Sequence, residues 1–295
     1  GDSGDLSGGT YFPRNFGRFI RIESAGSSGY RPGRRYVAND PGCLLEQQRA
    51  DARQRQGITN FAAGEENMGK GKLIILEAGD ASGKATQTRL LYDRLEKEGY
   101  PVRQVEFPDY AAESSVLVRM YLSGAFGRQA GAVDAYAAST FFAVDRYASY
   151  RLKWGTHYEN GGIVLADRYT TSNMVHQSVK LRDVVDRAAY IEWLQDFEYD
   201  KLGLPRPDGV IFLDMDPAVS DRLLSARAKE EGGGDIHERD REYLHRCHAA
   251  YQALAARFGW RRVLCSEDGE PRPVEIIATK VYAAAMEILE KAGGK

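Results

Sequence analysis

The sequence predicts an α/β domain built on a parallel sheet with helices on both faces, and two observations carry that expectation. From Met68 onward, five short apolar runs alternate with longer stretches of helical periodicity, the pattern of a parallel sheet joined by helical crossovers. In the second, the run Leu73-Ile74-Ile75-Leu76 leads into Glu77-Ala78-Gly79-Asp80-Ala81-Ser82-Gly83-Lys84-Ala85-Thr86-Gln87. A small-residue loop with Gly-Lys between a buried strand and a helix is the setting of a phosphate-binding loop. Small residues let backbone N–H groups turn inward around an anion. The helix that opens at Lys84 adds its positive end. Residues 78–86 are the expected cradle, with Lys84 reaching the terminal phosphates.

Taken in order, residues 73–77 read as a buried strand. Residues 84–98 read as an amphipathic helix with Leu90, Leu91 and Leu95 on one side, stopped by Gly99 and Pro101. A second strand at 102–107 ends in Glu106-Phe107-Pro108, and a helix at 115–122 stops at Gly124. Residues 132–154 form one long helical pattern. A third strand at 162–166 ends in Asp167-Arg168-Tyr169, followed by helical stretches at 172–180 and 182–199. A fourth strand at 209–214 is closed by Asp216-Pro217. Helix 218–229 breaks in the Gly232-Gly233-Gly234 segment; helix 237–258, strand 261–265 and helix 273–291 complete the chain, with no internal repeat. In such a sheet ligands collect at the C-terminal strand ends, where the loop, Glu106-Phe107-Pro108, Asp167-Arg168-Tyr169 and Asp214-Met215-Asp216 all fall.

The first 67 residues differ in kind. They hold 11 of the 31 glycines, nine arginines and no lysine, and their periodicity is poor. Gly64-Glu65-Glu66-Asn67 stands directly before Met68, and its codons can spell a purine-rich ribosome-binding site. The expectation is that residues 1–67 are a disordered or non-native extension and that residues 68–295 are the working domain. A net charge of −2 argues against a nucleic-acid binder that works by bulk electrostatics. Three cysteines without metal spacing suit a reducing compartment. No apolar run reaches the length of a membrane span. These features lead to the expectation of a cytoplasmic protein of small molecules, with no nucleic-acid and no membrane partner.

Three further motifs follow the loop in order: Glu106-Phe107-Pro108, Phe142-Ala143-Val144-Asp145-Arg146 and Asp167-Arg168-Tyr169-Thr170-Thr171-Ser172-Asn173. The set resembles the thymidylate kinase family over residues 71 to 290. The resemblance implies the P-loop nucleoside-monophosphate kinase fold with strand order 2-3-1-4-5, a mobile lid, a homodimer, ATP and Mg²⁺ as cofactors and dTMP as acceptor. It assigns Lys84 to the ATP phosphates, Arg168 to the acceptor phosphate and Asp167 to the neighbourhood of Mg²⁺. Phe142 and Arg146 stack on and hydrogen-bond the base, and Asn173 lies near it. Asp80 meets the acceptor sugar, Phe107 and Tyr110 wall the pocket, and His176 stands where a tyrosine commonly crowds the sugar 2′ position. Residues 227–238 match the lid, with Arg227 as a catalytic cation and Glu238 near acceptor or metal.

The residue types make sense without the resemblance. Phosphoryl transfer requires two anions brought in line and neutralised. An arginine at a strand end beside the loop clamps a phosphate in bidentate fashion. Phe142 and Arg146, four apart, share one helix face, and a flat ring with a forked donor suits a pyrimidine. For each group a plainer role stands beside the functional one: a salt bridge for Asp167-Arg168, core packing for the aromatics, a solvated loop for the lid charges.

The chain departs from the family loop at Ala78 and Ala81, where glycines are usual, so both backbones are expected to keep negative φ. Ala85 replaces a hydroxyl that normally meets Mg²⁺, and Thr86 points about 100° away around the helix. Three functions stay open at this point: a dTMP kinase, a kinase of another pyrimidine nucleotide or deoxynucleoside, and a non-catalytic nucleotide-binding protein.

Overall fold

The computed structural model describes residues 70–127, 129, 131–231 and 240–290. The expected extension over residues 1–67 and Glu238 of the expected lid lie outside the described residues. Five parallel strands form one sheet in the order β2-β3-β1-β4-β5: β1 (Lys72–Ala78), β2 (Val102–Glu106), β3 (Ile163–Asp167), β4 (Gly209–Asp214) and β5 (Arg261–Leu264).

Nine helices accompany them among the described residues: α1 (Lys84–Lys97), α2 (Val116–Leu122), α3 (Ala135–Ser149), α4 (Gly155–Glu159), α5 (Thr170–His176), α6 (Val184–Gln195), α7 (Pro217–Glu231), α8 (Arg241–Phe258) and α9 (Val274–Glu290). No helix among the described residues is long and apolar enough to cross a membrane.

Strand alternation decides what faces which layer. Leu73 and Ile75 of β1 join Val164, Ala166, Val210 and Phe212 in a core covered by α3, α5, α6 and α8. Ile74 and Leu76 join Leu165, Ile211 and Leu213 in a second core under α1 and α9, with Leu91, Leu95, Ile277 and Val281. The same period continues past the apolar residues. Glu77 and Asp214 carry on the first face, toward α5 and α8. Asp167 carries on the second, toward the start of α1.

The expected helix over 132–154 begins at Ala135, where the Asp134 carboxylate accepts the N–H groups of Tyr136 at 2.8 Å and Ala137 at 3.3 Å. It passes through a π-helical turn, Tyr150–Trp154, before α4. A second π-helical turn, Asp196–Lys201, follows α6. Neither is legible from spacing, since a widened turn keeps a near-helical pattern. The expected helix at 237–258 is described from Arg241, capped by Asp240 onto Tyr243 N at 2.9 Å. A small antiparallel hairpin, β6 (Ser266–Glu267) with β7 (Glu270–Pro271), was not expected from the sequence.

Candidate functional site

The loop between β1 and α1 is shaped by two left-handed residues, Gly83 at φ 77° and Ala81 at φ 56°. The second corrects the expectation of negative φ at Ala81: the turn demands the glycine-like conformation even with a methyl group present. Ala78, the last residue of β1, stays extended as expected. An L-residue in this region is strained by about 1–2 kcal/mol. Ala81→Gly is therefore expected to stabilise the fold by about 0.5–1 kcal/mol after the entropy of the added glycine, measured by urea unfolding; unchanged or lower stability would contradict it.

Ser82 Oγ donates to Gly79 O at 2.6 Å and closes the loop on itself. A Cβ placed at Gly79 or Gly83 would meet no protein atom within 4 Å, so open space lies over the loop. Gly83 caps α1 without any side-chain hydrogen bond, and the first turn carries no acidic residue. Its N–H groups remain available to an anion. Ala85 and Thr86 follow on α1, both exposed.

Lys84 contacts the Asp167 carboxylate across the gap between α1 and β3. Burial first, then the Arg168 guanidinium, pushes the Lys84 ammonium down to about 7, while Glu77 and Asp80 oppose that shift. A phosphate arriving beside Lys84 restores its charge.

Beyond the loop lies a cavity of about 210 Å³. Asp80, Phe107, Tyr110, Phe142, Arg146, Arg168, Asn173 and His176 all line it, which brings every substrate-contacting residue expected from the sequence to one place. Arg168, just past β3, has φ 67°. Its Nη2 donates to Asp80 Oδ1 at 3.1 Å and its Nη1 faces His176 Nε2 at 3.3 Å and Tyr251 OH at 3.4 Å. Burial opposes its charge, but Asp80 and Glu77 help to hold its pKa above the ordinary guanidinium value. Phe142 meets Tyr121 edge-on at 6.1 Å. Tyr110 is half exposed at the rim.

Arg146 is 1% exposed. Its Nε and Nη2 donate to the two oxygens of Glu198 at 2.7 and 2.5 Å, and its Nη1 reaches Tyr169 O at 3.5 Å. Burial works against this cation, and Glu198 outweighs it, so the pKa is raised. One hydrogen on Nη1 and one on Nη2 are left to face a ligand.

Several residues of the site were missed in the sequence. Gln177 is 1% exposed, lines the cavity, and its Oε1 has no hydrogen-bond partner among the described residues. Its spacing from Asn173, one helical turn, was a usable signal. Asp145 accepts Asp109 N at 2.9 Å and Ser114 Oγ at 2.6 Å, holding the segment that carries Tyr110. Glu77, Glu198 and Tyr251 gave no local signal, because their partners are distant in the chain.

Of the expected lid, Arg227 lies on the last turns of α7, and its side chain, like Glu238, is outside the described part. Among the described residues no group of three His, Cys, Asp or Glu side chains could cage a metal. Asp167 at the end of β3 is the carboxylate beside the loop, and Ala85 offers no hydroxyl. Such a site suits an ion held largely by phosphates and water, which is the habit of magnesium.

Comparison with known proteins gives a consistent result. The family model for thymidylate kinase matches residues 76–272. The thymidylate kinase of Mycobacterium tuberculosis is 31% identical over 204 residues, which is 68% of this chain and 93% of that protein. That of Exiguobacterium is 28% identical over 227 residues, 76% of this chain and 98% of that protein. The solved structure of thymidylate kinase from Candida albicans matches with a TM-score of 0.54 at 21% identity, covering 75% of this chain and 92% of that one, a likeness of fold.

Proposed function

The chain belongs to the thymidylate kinase family, and we infer that it transfers the γ-phosphoryl group of ATP to dTMP, giving ADP and dTDP. The observation that carries this reading is the single cavity lined by Phe142, Arg146, Asn173 and Arg168, which meets the phosphate loop at Asp80. Both phosphate-binding cations, Lys84 and Arg168, stand at that junction. An acceptor phosphate oxygen is already anionic, so the chemistry rests on alignment and charge neutralisation.

Each residue then has a task. The N–H groups of residues 79–84 and the start of α1 hold the ATP phosphates, with Lys84 on the outer ones. Arg168 holds the acceptor phosphate, and Asp80 both orients Arg168 and meets the acceptor sugar. Phe142 stacks on the pyrimidine, walled by Phe107 and Tyr110. The end of the Arg146 fork that Glu198 leaves unpaired donates to a base carbonyl, and Gln177 Oε1 accepts the ring N–H that lies between two carbonyls in thymine. Asn173 and His176 close the cavity around base and sugar. Asp167 is the side chain that would hold Mg²⁺ entering with the nucleotide, which would supply charge neutralisation at the phosphates, with Glu238 and Arg227 as the lid's contributions to metal and transition-state charge.

We further propose a homodimer, supported by half-exposed apolar side chains on neighbouring helices, Leu117 and Met120 on α2 and Val144 and Tyr147 on α3. Sedimentation velocity of the full chain is expected to give twice the chain mass; a monomer at micromolar concentration would end that reading. A cytoplasmic place fits the nucleotide substrates and the free, buried Cys247 and Cys265. The reading keeps residues 68–295 as the catalytic domain.

The activity test is coupled ADP release from MgATP with dTMP, dUMP, UMP, dCMP, CMP, AMP and GMP as acceptors. Turnover is expected chiefly with dTMP. Preference for another monophosphate would reassign the acceptor, and ATP binding without ADP formation under every acceptor would leave a non-catalytic nucleotide binder.

A further inference from the structure

We propose that Tyr251 is a positioning residue for the phosphate clamp Arg168, and that the buried carboxylate of Glu77 sets the direction in which the Tyr251 hydroxyl points. The proposal rests on the reading of Arg168 as the group that holds the acceptor phosphate.

Glu77 is the penultimate residue of β1 and is fully buried. Strand alternation turns it away from Lys84 and toward α5 and α8. Among the described residues no cation touches it, and three hydroxyls do. Thr171 Oγ1 donates to its Oε1 at 2.5 Å, Ser172 Oγ lies 2.9 and 2.8 Å from the two oxygens, and Tyr251 OH donates to Oε2 at 3.0 Å. Thr171 and Ser172 belong to α5, which carries Asn173 and His176, while Tyr251 belongs to α8. One carboxylate therefore ties the strand before the phosphate loop to α5, which lines the acceptor cavity, and to α8.

Glu77, Tyr251 and Arg168 can bond in only one sense. A carboxylate only accepts, and a guanidinium only donates. Tyr251 has one hydroxyl proton, and Glu77 takes it. The lone pairs of the same oxygen then face Arg168 Nη1 at 3.4 Å. Arg168 Nη1 also faces His176 Nε2 at 3.3 Å. The same nitrogen lies 3.3 Å from Tyr251 OH, while Nδ1 lies 3.4 Å from Tyr243 OH and 3.5 Å from Cys247 Sγ. One edge of the guanidinium thus meets Tyr251 and His176, and the other meets Asp80. Nε and the second Nη2 hydrogen have no partner among the described residues, so they are available to a ligand.

Tyr251 is suited to this duty by rigidity. Its ring is fully buried and stacked on Phe212, with centroids 5.0 Å apart and planes 10° apart. Burial raises its pKa well above the ordinary phenol value, so the proton stays on the oxygen. An arginine side chain loses much rotamer freedom when it clamps a phosphate. Fixing its orientation before the substrate arrives removes part of that cost from the reaction. Without the hydroxyl, Glu77 lacks a donor and the Arg168 guanidinium lacks its neutral stop on that side, leaving it free to turn toward the carboxylate.

The test is a double-mutant cycle on the full chain. Tyr251→Phe is expected to lower kcat/KM for dTMP by about tenfold, the scale of one hydrogen bond to a charged group, with the KM for ATP changed less than about twofold. In an Arg168→Ala background the same change is expected to cost less than about twofold, because no clamp remains to be positioned. Equal losses in both backgrounds would make Tyr251 merely structural and overturn the proposal. So would unchanged dTMP kinetics in Tyr251→Phe alone. If Arg168→Ala itself leaves dTMP kinetics intact, the clamp reading falls, and the positioning proposal falls with it for that separate reason. Should Tyr251→Phe fail to fold, Glu77→Gln carries the same cycle. Its amide N–H would donate to Tyr251 and turn the hydroxyl proton toward Arg168, and the same dependence on Arg168 is expected.

Discussion

Replacing Glu198 with alanine is expected to remove about 3–5 kcal/mol of folding stability, against a total of about 5–15 kcal/mol for a typical domain. The expectation comes from the state in which it leaves Arg146. The guanidinium is 1% exposed and spends two of its nitrogens on Glu198, at 2.7 and 2.5 Å. Thr170 Oγ1 adds a third bond to the same carboxylate at 2.7 Å. Deleting the carboxylate strands a buried cation and takes one partner from a buried hydroxyl, and the desolvation cost of the cation is then uncompensated. Urea unfolding should show a lower midpoint with an unchanged slope. Removing both charges, as Arg146→Met with Glu198→Met, is expected to recover most of the loss, because the penalty lies in the unpaired charge. A single mutant that loses less than about 1 kcal/mol would show that water reaches Arg146 and that the pair does not hold this part of the core. The same substitution should weaken dTMP selection, since an unheld Arg146 no longer presents its Nη1 edge to the base.

Arg168→Lys is expected to lower kcat/KM for dTMP by about 10²–10³-fold, the scale of losing one well-placed donor to transition-state charge. Lysine keeps the charge but lacks the fork. In this site the fork is fully used: one edge meets Tyr251 and His176, one corner meets Asp80, and the remaining hydrogens face the cavity. An ammonium cannot satisfy those acceptors and a phosphate together. Steady-state kinetics with each substrate varied in turn should place the loss on the acceptor side, with ATP binding by calorimetry near the unsubstituted value. Activity within threefold of the parent would remove Arg168 from the clamp.

The degree to which each feature was legible follows from the distance over which its cause acts. Loop, strands and helices were readable because their signals are local. Alternation over a few residues separates Leu73 and Ile75 from Ile74 and Leu76, and helical spacing groups Leu91 with Leu95. The one conformational expectation that failed, negative φ at Ala81, failed because the closed loop sets its backbone against the preference of its own side chain. Gln177 could have been found by its turn spacing from Asn173. Glu198 could not, because its meeting with Arg146, 52 residues earlier, depends on how the π-helical turn after α6 packs against α3.

By itself, the sequence determined the class of sheet, the phosphate loop and the family, and with them the reaction, since those reside in short ordered motifs and in periodicity. The tertiary structure alone decided that Glu198 takes one edge of Arg146, and that the Tyr251 hydroxyl meets Arg168. Periodicity tells which face a side chain leaves from. The partner it meets there is set by the packing of elements brought together from distant parts of the chain, where burial makes every unmatched charge or hydroxyl costly enough to select one arrangement.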